Sequence, residues 1–197
     1  MKQKDDSLAQ LSAWIGGMQA SCGTHWDRLP EIYLYMDQVL TFMDGQLRQL
    51  GRTAEGPLVT SSMVNNYVKD GVLPRPQKKK YSREHLARLT IICLLKQVLA
   101  IQDIHTLLDL LLKEQPIDQL YDGYCQEQSR EMEAVGSRVS AAAEEGAQGL
   151  TRLALQLSAQ ANARRTAAEC ILAALRTEPS AAEKPAEQKK APAGSDA

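Results

Sequence analysis

The sequence predicts an all-α protein, and three observations carry that prediction. Alanine and leucine abound while aromatic residues make up only 5% of the 197, a mix that suits helices better than a β-sandwich rich in Val, Tyr and Thr. Apolar residues recur at i, i+3 and i+4 rather than alternating. Gly and Pro fall between those periodic stretches. With 44% hydrophobic and 24% charged residues the chain has the make-up of a globular protein, long enough for one domain with appendages or for two small ones.

Taken in order, Ser7 caps a short amphipathic helix over 7–22, with Leu8, Leu11, Trp14, Ile15 and Met18 on one face and Gly23 at its end. Pro30 opens a second helix running to about Leu50, whose stripe is Ile32, Leu34, Tyr35, Val39, Leu40, Phe42, Met43, Leu47 and Leu50. Residues 51–57 form a loop. Thr60 or Ser61 caps a short helix over 62–69, stopped where Gly71 can take a left-handed conformation. Pro74 and Pro76 then forbid a helix interior, so 72–81 reads as an exposed loop or small hairpin. Ser82 caps a helix to about Val98, and a Leu-rich helix over 101–112 follows. Beyond Pro116 the spacing predicts a helix over 117–135, an interruption at Gly136, and an Ala-rich stretch over 137–176 that Gly146 and Gly149 can split in two. Its seam is Leu150, Leu153, Leu157, Ala161, Ala168, Ile171 and Leu175. Residues 178–197 hold no large apolar side chain and read as a disordered tail.

The net charge of −1 conceals an uneven distribution. Residues 58–100 carry eight basic and two acidic side chains, whereas the segments on either side are acidic. A single basic island is the footprint of a localised polyanion contact, because charge attraction fades within about 8 Å in physiological salt.

The thiols Cys22, Cys93, Cys125 and Cys170 are scattered and no secretory pattern precedes them, which points to the cytoplasm. The apolar runs 89–95 and 107–112 fall short of the ~18 residues a membrane span needs. Cys22 and His25 have the spacing of half a metal site but lack a second pair. Cys93 reads as a core residue, and His85 and His105 stand alone on their helices. No phosphate-cradling loop, nucleophile elbow or zinc motif occurs. The expectation is a chain with no catalytic residue, no metal and no cofactor, and not an enzyme.

Segment 58–112 carries the strongest functional signal. A capped short helix, a glycine turn, a proline-bounded basic loop and a second capped helix is the order of a winged helix-turn-helix in which the loop is the wing. Ser61, Ser62, Asn65, Asn66 and Lys69 are the small polar and cationic types that read base edges and phosphates, Asn pairing with adenine. Met63, Val64, Tyr67 and Val68 can hold the opposite face. Lys78, Lys79 and Lys80, flanked by Arg75, Tyr81 and Arg83, would neutralise phosphates without reading sequence. Tyr67 and Tyr81 join the candidate set through their hydroxyls, although packing is the commoner role for them.

The stretches Thr60–Pro74, Lys79–Leu89 and Leu99–Leu108 resemble the DNA-binding domain of MerR-type regulators, with a Ser/Thr-started helix, a tyrosine, a Gly-Val-Leu-Pro exit and a basic pair before Tyr81. Asn65 and Asn66 stand where those regulators usually carry an arginine and an aromatic. Residues 34–39, 62–69, 81–85 and 91–98 resemble, more closely, a bacterial family known as domain of unknown function 1836. The reading is a MerR-like winged domain over 1–113, a helical C-terminal region over 116–177 whose helices pair within one chain or between two copies, the latter being what the MerR resemblance implies, and the tail 178–197. The implied function is transcriptional regulation on double-stranded DNA as a homodimer. A rival reading from the same residues is an interaction module whose positive face binds an acidic protein, since fold does not fix function. A small-molecule sensor is compatible with either.

Overall fold

Leucine, isoleucine and valine from α-helices that the sequence spaces at helical period converge on one main core, and a long helical hairpin extends from it. The structure is a computed structural model that describes residues 11, 13, 24–48 and 57–177. After a 3₁₀ turn at Trp26–Arg28 come six α-helices among the described residues: α1 Met36–Leu47, α2 Ser61–Lys69, α3 Arg83–Leu95, α4 Ile101–Glu114, α5 Ile117–Glu144 and α6 Gly146–Thr177. No β-strand forms among the described residues; the extended chain makes only isolated bridges, at Leu34–Tyr81 and Gln77–Lys80. The expected helix over 7–22 lies outside the described residues save for Leu11 and Ala13, which are helical, and so do most of the loop 51–57 and the tail 178–197. No described helix is long and apolar enough to cross a membrane.

The main core runs from Leu29 to Cys125, with α3 at its centre: Leu86, Ala87, Leu89, Ile91, Ile92 and Cys93 are all buried. Burial pushes the Cys93 thiol up to about 11, against the pull of Lys96, so it is a small apolar residue here. Val39 and Met43 of α1, Val64 of α2, Ile104 and Leu108 of α4, and Tyr121 of α5 close around it. A second cluster joins Val139 and Ala142 of α5 to Leu153 of α6, with Leu11 packed against them.

Three sequence expectations are corrected. The helix expected from Pro30 begins only at Met36. Residues 30–35 are non-helical instead, with a bend at Ile32, because Leu34 and Tyr81 exchange both backbone hydrogen bonds (2.9 and 2.8 Å) and the Gln38 side chain accepts from the Tyr35 N–H to start the helix. Ile32, assigned to the buried stripe, is 70% exposed. Second, Gly136 does not interrupt α5; an interior glycine costs only about 1 kcal/mol, and this one is buried. The break comes at Gly146, whose φ of +75° suits a glycine and turns the chain. Gly149 lets the two helices close there, since a Cβ on it would lie 2.5 Å from the Ala142 carbonyl oxygen. Third, the seam does not stay on one face of α6. Leu153 packs on α5, but near the C-terminus Leu172 is buried while Ile171 and Leu175 face outward. The reason is a change of partner, as the last turns of α6 leave α5 for α4. There Arg176 donates from Nε to Thr106 (2.9 Å) and pairs through Nη2 with Asp103 (2.9 Å).

Candidate nucleic-acid interface

The α2 sequence sorts its own faces. Thr60 Oγ1 accepts the Met63 N–H at 3.3 Å and starts the helix. Val64 and Tyr67 are buried, and Ser61, Ser62, Asn65, Asn66 and Lys69 are exposed on the far side. The helix ends as expected for its Asp-Gly exit: Gly71 adopts φ +77°, and the Leu73 N–H returns to the Tyr67 carbonyl at 3.0 Å. The His105 ring of α4 props this turn, its Nε2 lying 3.4 Å from where a Gly71 Cβ would stand.

Leu73 and Val72 are buried and tie the chain down before it rises into the basic segment. Gln77 and Lys80 then face each other across a two-residue turn, closed by the Lys80 N–H on the Gln77 carbonyl at 2.9 Å. Both tip residues, Lys78 (φ 49°) and Lys79 (φ 63°), are left-handed. Positive φ at both central positions is the hairpin turn that normally takes Asn-Gly, so two lysines there carry backbone strain of about 1 kcal/mol each. Both are exposed. Lys80 is drawn back, its Nζ 5.2 Å from the centre of the Tyr35 ring.

A cleft of about 580 Å³ opens behind this turn, between residues 26–33, residues 74–77 and the N-terminus of α3. Exposed Arg75 lines it, and so does Arg83. Arg83 does not stand free as the sequence suggests: its guanidinium lies over the Trp26 ring at 5.4 Å and its Nη2 is 2.8 Å from Glu31 Oε1. Ser82 begins α3 in a reciprocal cap with His85, whose Nδ1 accepts the Ser82 N–H at 3.1 Å. That bond leaves the ring proton on Nε2. Burial holds the His85 pKa below its ordinary 6.5, against the upward pull of the Arg75 backbone.

A family model described as a domain of unknown function (DUF1836) matches residues 24–124, just over half of the 197 residues. The chain belongs to the DUF1836 family. Comparison with curated proteins and with solved structures finds no match. The DUF1836 stretch takes in α1 to α4 and the start of α5, and its limits are close to those of the main core; α6 and most of α5 lie beyond it.

Within the DUF1836 region, Tyr67 and Tyr81 are withdrawn from the surface and pack. Burial and the neighbouring Cys93 push the Tyr67 hydroxyl up to about 12. Burial also raises Tyr81, whose ring meets His85 edge-on at 5.5 Å. Trp26, Glu31 and Tyr35 were missed. The alternation of aliphatic and tyrosine residues over Ile32-Tyr33-Leu34-Tyr35 is a signal that could have placed Tyr35 off the helix; nothing local marks Trp26 or Glu31. His25, half of the sequence's metal-like pair, sits 3.8 Å from Asp122, and among the described residues no three His, Cys, Asp or Glu side chains gather as metal ligands.

Proposed function

We propose that this DUF1836 protein binds double-stranded DNA as a transcriptional regulator. In this reading the region is a reduced, MerR-like winged helix-turn-helix. The α2 face of Ser61, Ser62, Asn65, Asn66 and Lys69 enters the major groove, and the turn at Lys78–Lys79 takes the wing's role on the phosphate backbone. The observation that carries the reading is that turn. Two exposed lysines occupy left-handed positions that asparagine and glycine would fill with less strain, and neither side chain has a hydrogen bond or ion pair with any described residue. Residues held in costly conformations without an internal return are candidates for work outside the fold.

A nine-residue reading helix gains useful affinity from a second half-site, so the proposal includes a homodimer. The exposed Leu155, Ile171 and Leu175 of α6 support a contact between copies there, and a light-scattering mass tests it. A second reading, a partner protein with an acidic surface, draws on the exposed Ile32, Tyr33 and Tyr35 beside Lys80.

The deciding experiment is a gel shift on random genomic fragments across a salt series, with the full chain and with Lys78→Ala plus Lys79→Ala. The expected result is affinity that falls steeply with salt, and a slope in the double variant shallower by about 0.9 log units per lost phosphate contact. No fragment bound at low salt sinks the DNA reading and favours the acidic protein.

A further inference from the structure

The cleft at the start of α3 holds donors that the fold leaves short of acceptors. Arg83 has a side chain only 17% exposed, yet its partner Glu31 is 84% exposed. Their contact is within ion-pair range but out of line for a hydrogen bond, so Nε and Nη2 of Arg83 are buried with no hydrogen-bond partner. His85, only 8% exposed, has no well-aligned acceptor at Nε2, although the Arg75 and Pro74 carbonyls approach the ring; since Nδ1 accepts from Ser82, Nε2 is the donor. Buried donors left unmet forfeit their hydration without return, and a solvated carboxylate compensates a desolvated guanidinium poorly. Arg83 and His85 are among the residues that line one cavity, together with Arg75 and Lys80. The first turn of the 13-residue α3 adds its positive end. Glu84 is the opposing charge on the rim.

We propose that this cleft is an oxyanion site that takes a phosphate group, with Glu31 as its built-in competitor. The Arg83 guanidinium and the neighbouring Arg75 and Lys80 cations offer it more donors than the two oxygens of a carboxylate can satisfy, whereas a phosphate presents acceptors on several sides. Arrival of the phosphate displaces the Glu31 carboxylate into water, where its exposure makes the move inexpensive. The phosphate is either a free phosphate ester or one on a duplex backbone. Only the second source rests on the DNA reading above.

The test uses the ¹⁵N-labelled full chain and follows the Arg83 Nε–H and His85 ring signals, with inorganic phosphate in one arm and a mixed-sequence duplex in the other. Glu31→Gln, an exposed change that spares the fold, is compared with Asp37→Asn, a charge-matched change outside the cleft. The expected result is movement of the Arg83 Nε–H on adding phosphate, with affinity about three- to five-fold tighter in Glu31→Gln and unchanged in Asp37→Asn. Movement with the duplex alone, again tightened by Glu31→Gln, supports the site and names the backbone as source. An Arg83 signal unmoved by both probes overturns the proposal, as does equal tightening by the two variants. Duplex binding without an Arg83 response overturns it while the DNA reading stands. A phosphate response with no duplex binding leaves the site standing and overturns the DNA reading.

Discussion

The DUF1836 region and the distal part of the α5–α6 hairpin are held together by different means. In the first, side chains from five helices interlock around α3, and Leu86, Ile92, Val39, Met43 and Ile104 are wholly buried. In the second, a small cluster of Val139, Ala142 and Leu153 is supplemented by exposed polar pairs such as Arg164–Glu131 (2.7 Å) and Arg138–Gln160 (2.8 Å). Dense apolar packing resists perturbation in proportion to the volume removed, whereas exposed ion pairs contribute little each. The hairpin therefore depends on backbone geometry at its turn, and the main core does not.

The largest effect that can break this contrast is a pair of truncations. Leu86→Ala is expected to cost about 3 kcal/mol or more and Leu153→Ala about 1–2 kcal/mol, measured by chemical denaturation; equal losses remove the distinction. Next comes Gly149→Ala, which drives a methyl group against the Ala142 carbonyl and the Glu145 side chain. A loss of about 1–3 kcal/mol is expected, with amide exchange accelerated in α6 and unchanged in α3. Acceleration throughout means the two regions unfold as one.

Within the DUF1836 region the turn inverts the usual relation between stability and use. Lys78→Asn combined with Lys79→Gly relieves both left-handed lysines, so unfolding free energy rises by about 1 kcal/mol while duplex affinity falls. A variant that gains stability and keeps its affinity takes the turn out of the proposed interface. The smallest effect concerns acid. Burial lowers the His85 pKa, with the Arg75 and Pro74 backbone and Glu84 pulling it up and Arg88 pulling it down. A histidine kept neutral in the fold supports it above pH 6.5, and that support is lost as pH falls below 6.5 through the depressed folded value. His85→Gln should flatten this part of the stability profile; an unchanged profile assigns the dependence to other groups.

What could be read from the residues was local. Thr60 and Ser82 announced their helices, Asp70-Gly71 announced a stop, and the polar face of α2 followed from spacing alone. What escaped was decided across the chain. The helical stripe claimed Leu34 because nothing near it reveals that Tyr81 supplies its hydrogen bonds. Arg83 looked like a free cation because its stacking surface and its counter-ion lie far upstream at Trp26 and Glu31. Gly136 and Gly146 look alike as letters; burial inside α5 keeps the first helical, and the need to reverse direction sends the second to positive φ. The left-handed lysines were illegible for a related reason, since propensity assigns that geometry to other residues.

The grip of Arg176 on Asp103 and Thr106 gives α4 a double duty. His105, lodged between those two positions in the sequence, is the ring beneath the Gly71 bend that terminates α2. One short stretch of helix thus anchors the tail end of the hairpin and shores up the exit of the polar helix, so the fold's outermost limb and its exposed Asn65–Asn66 face hang from a common peg.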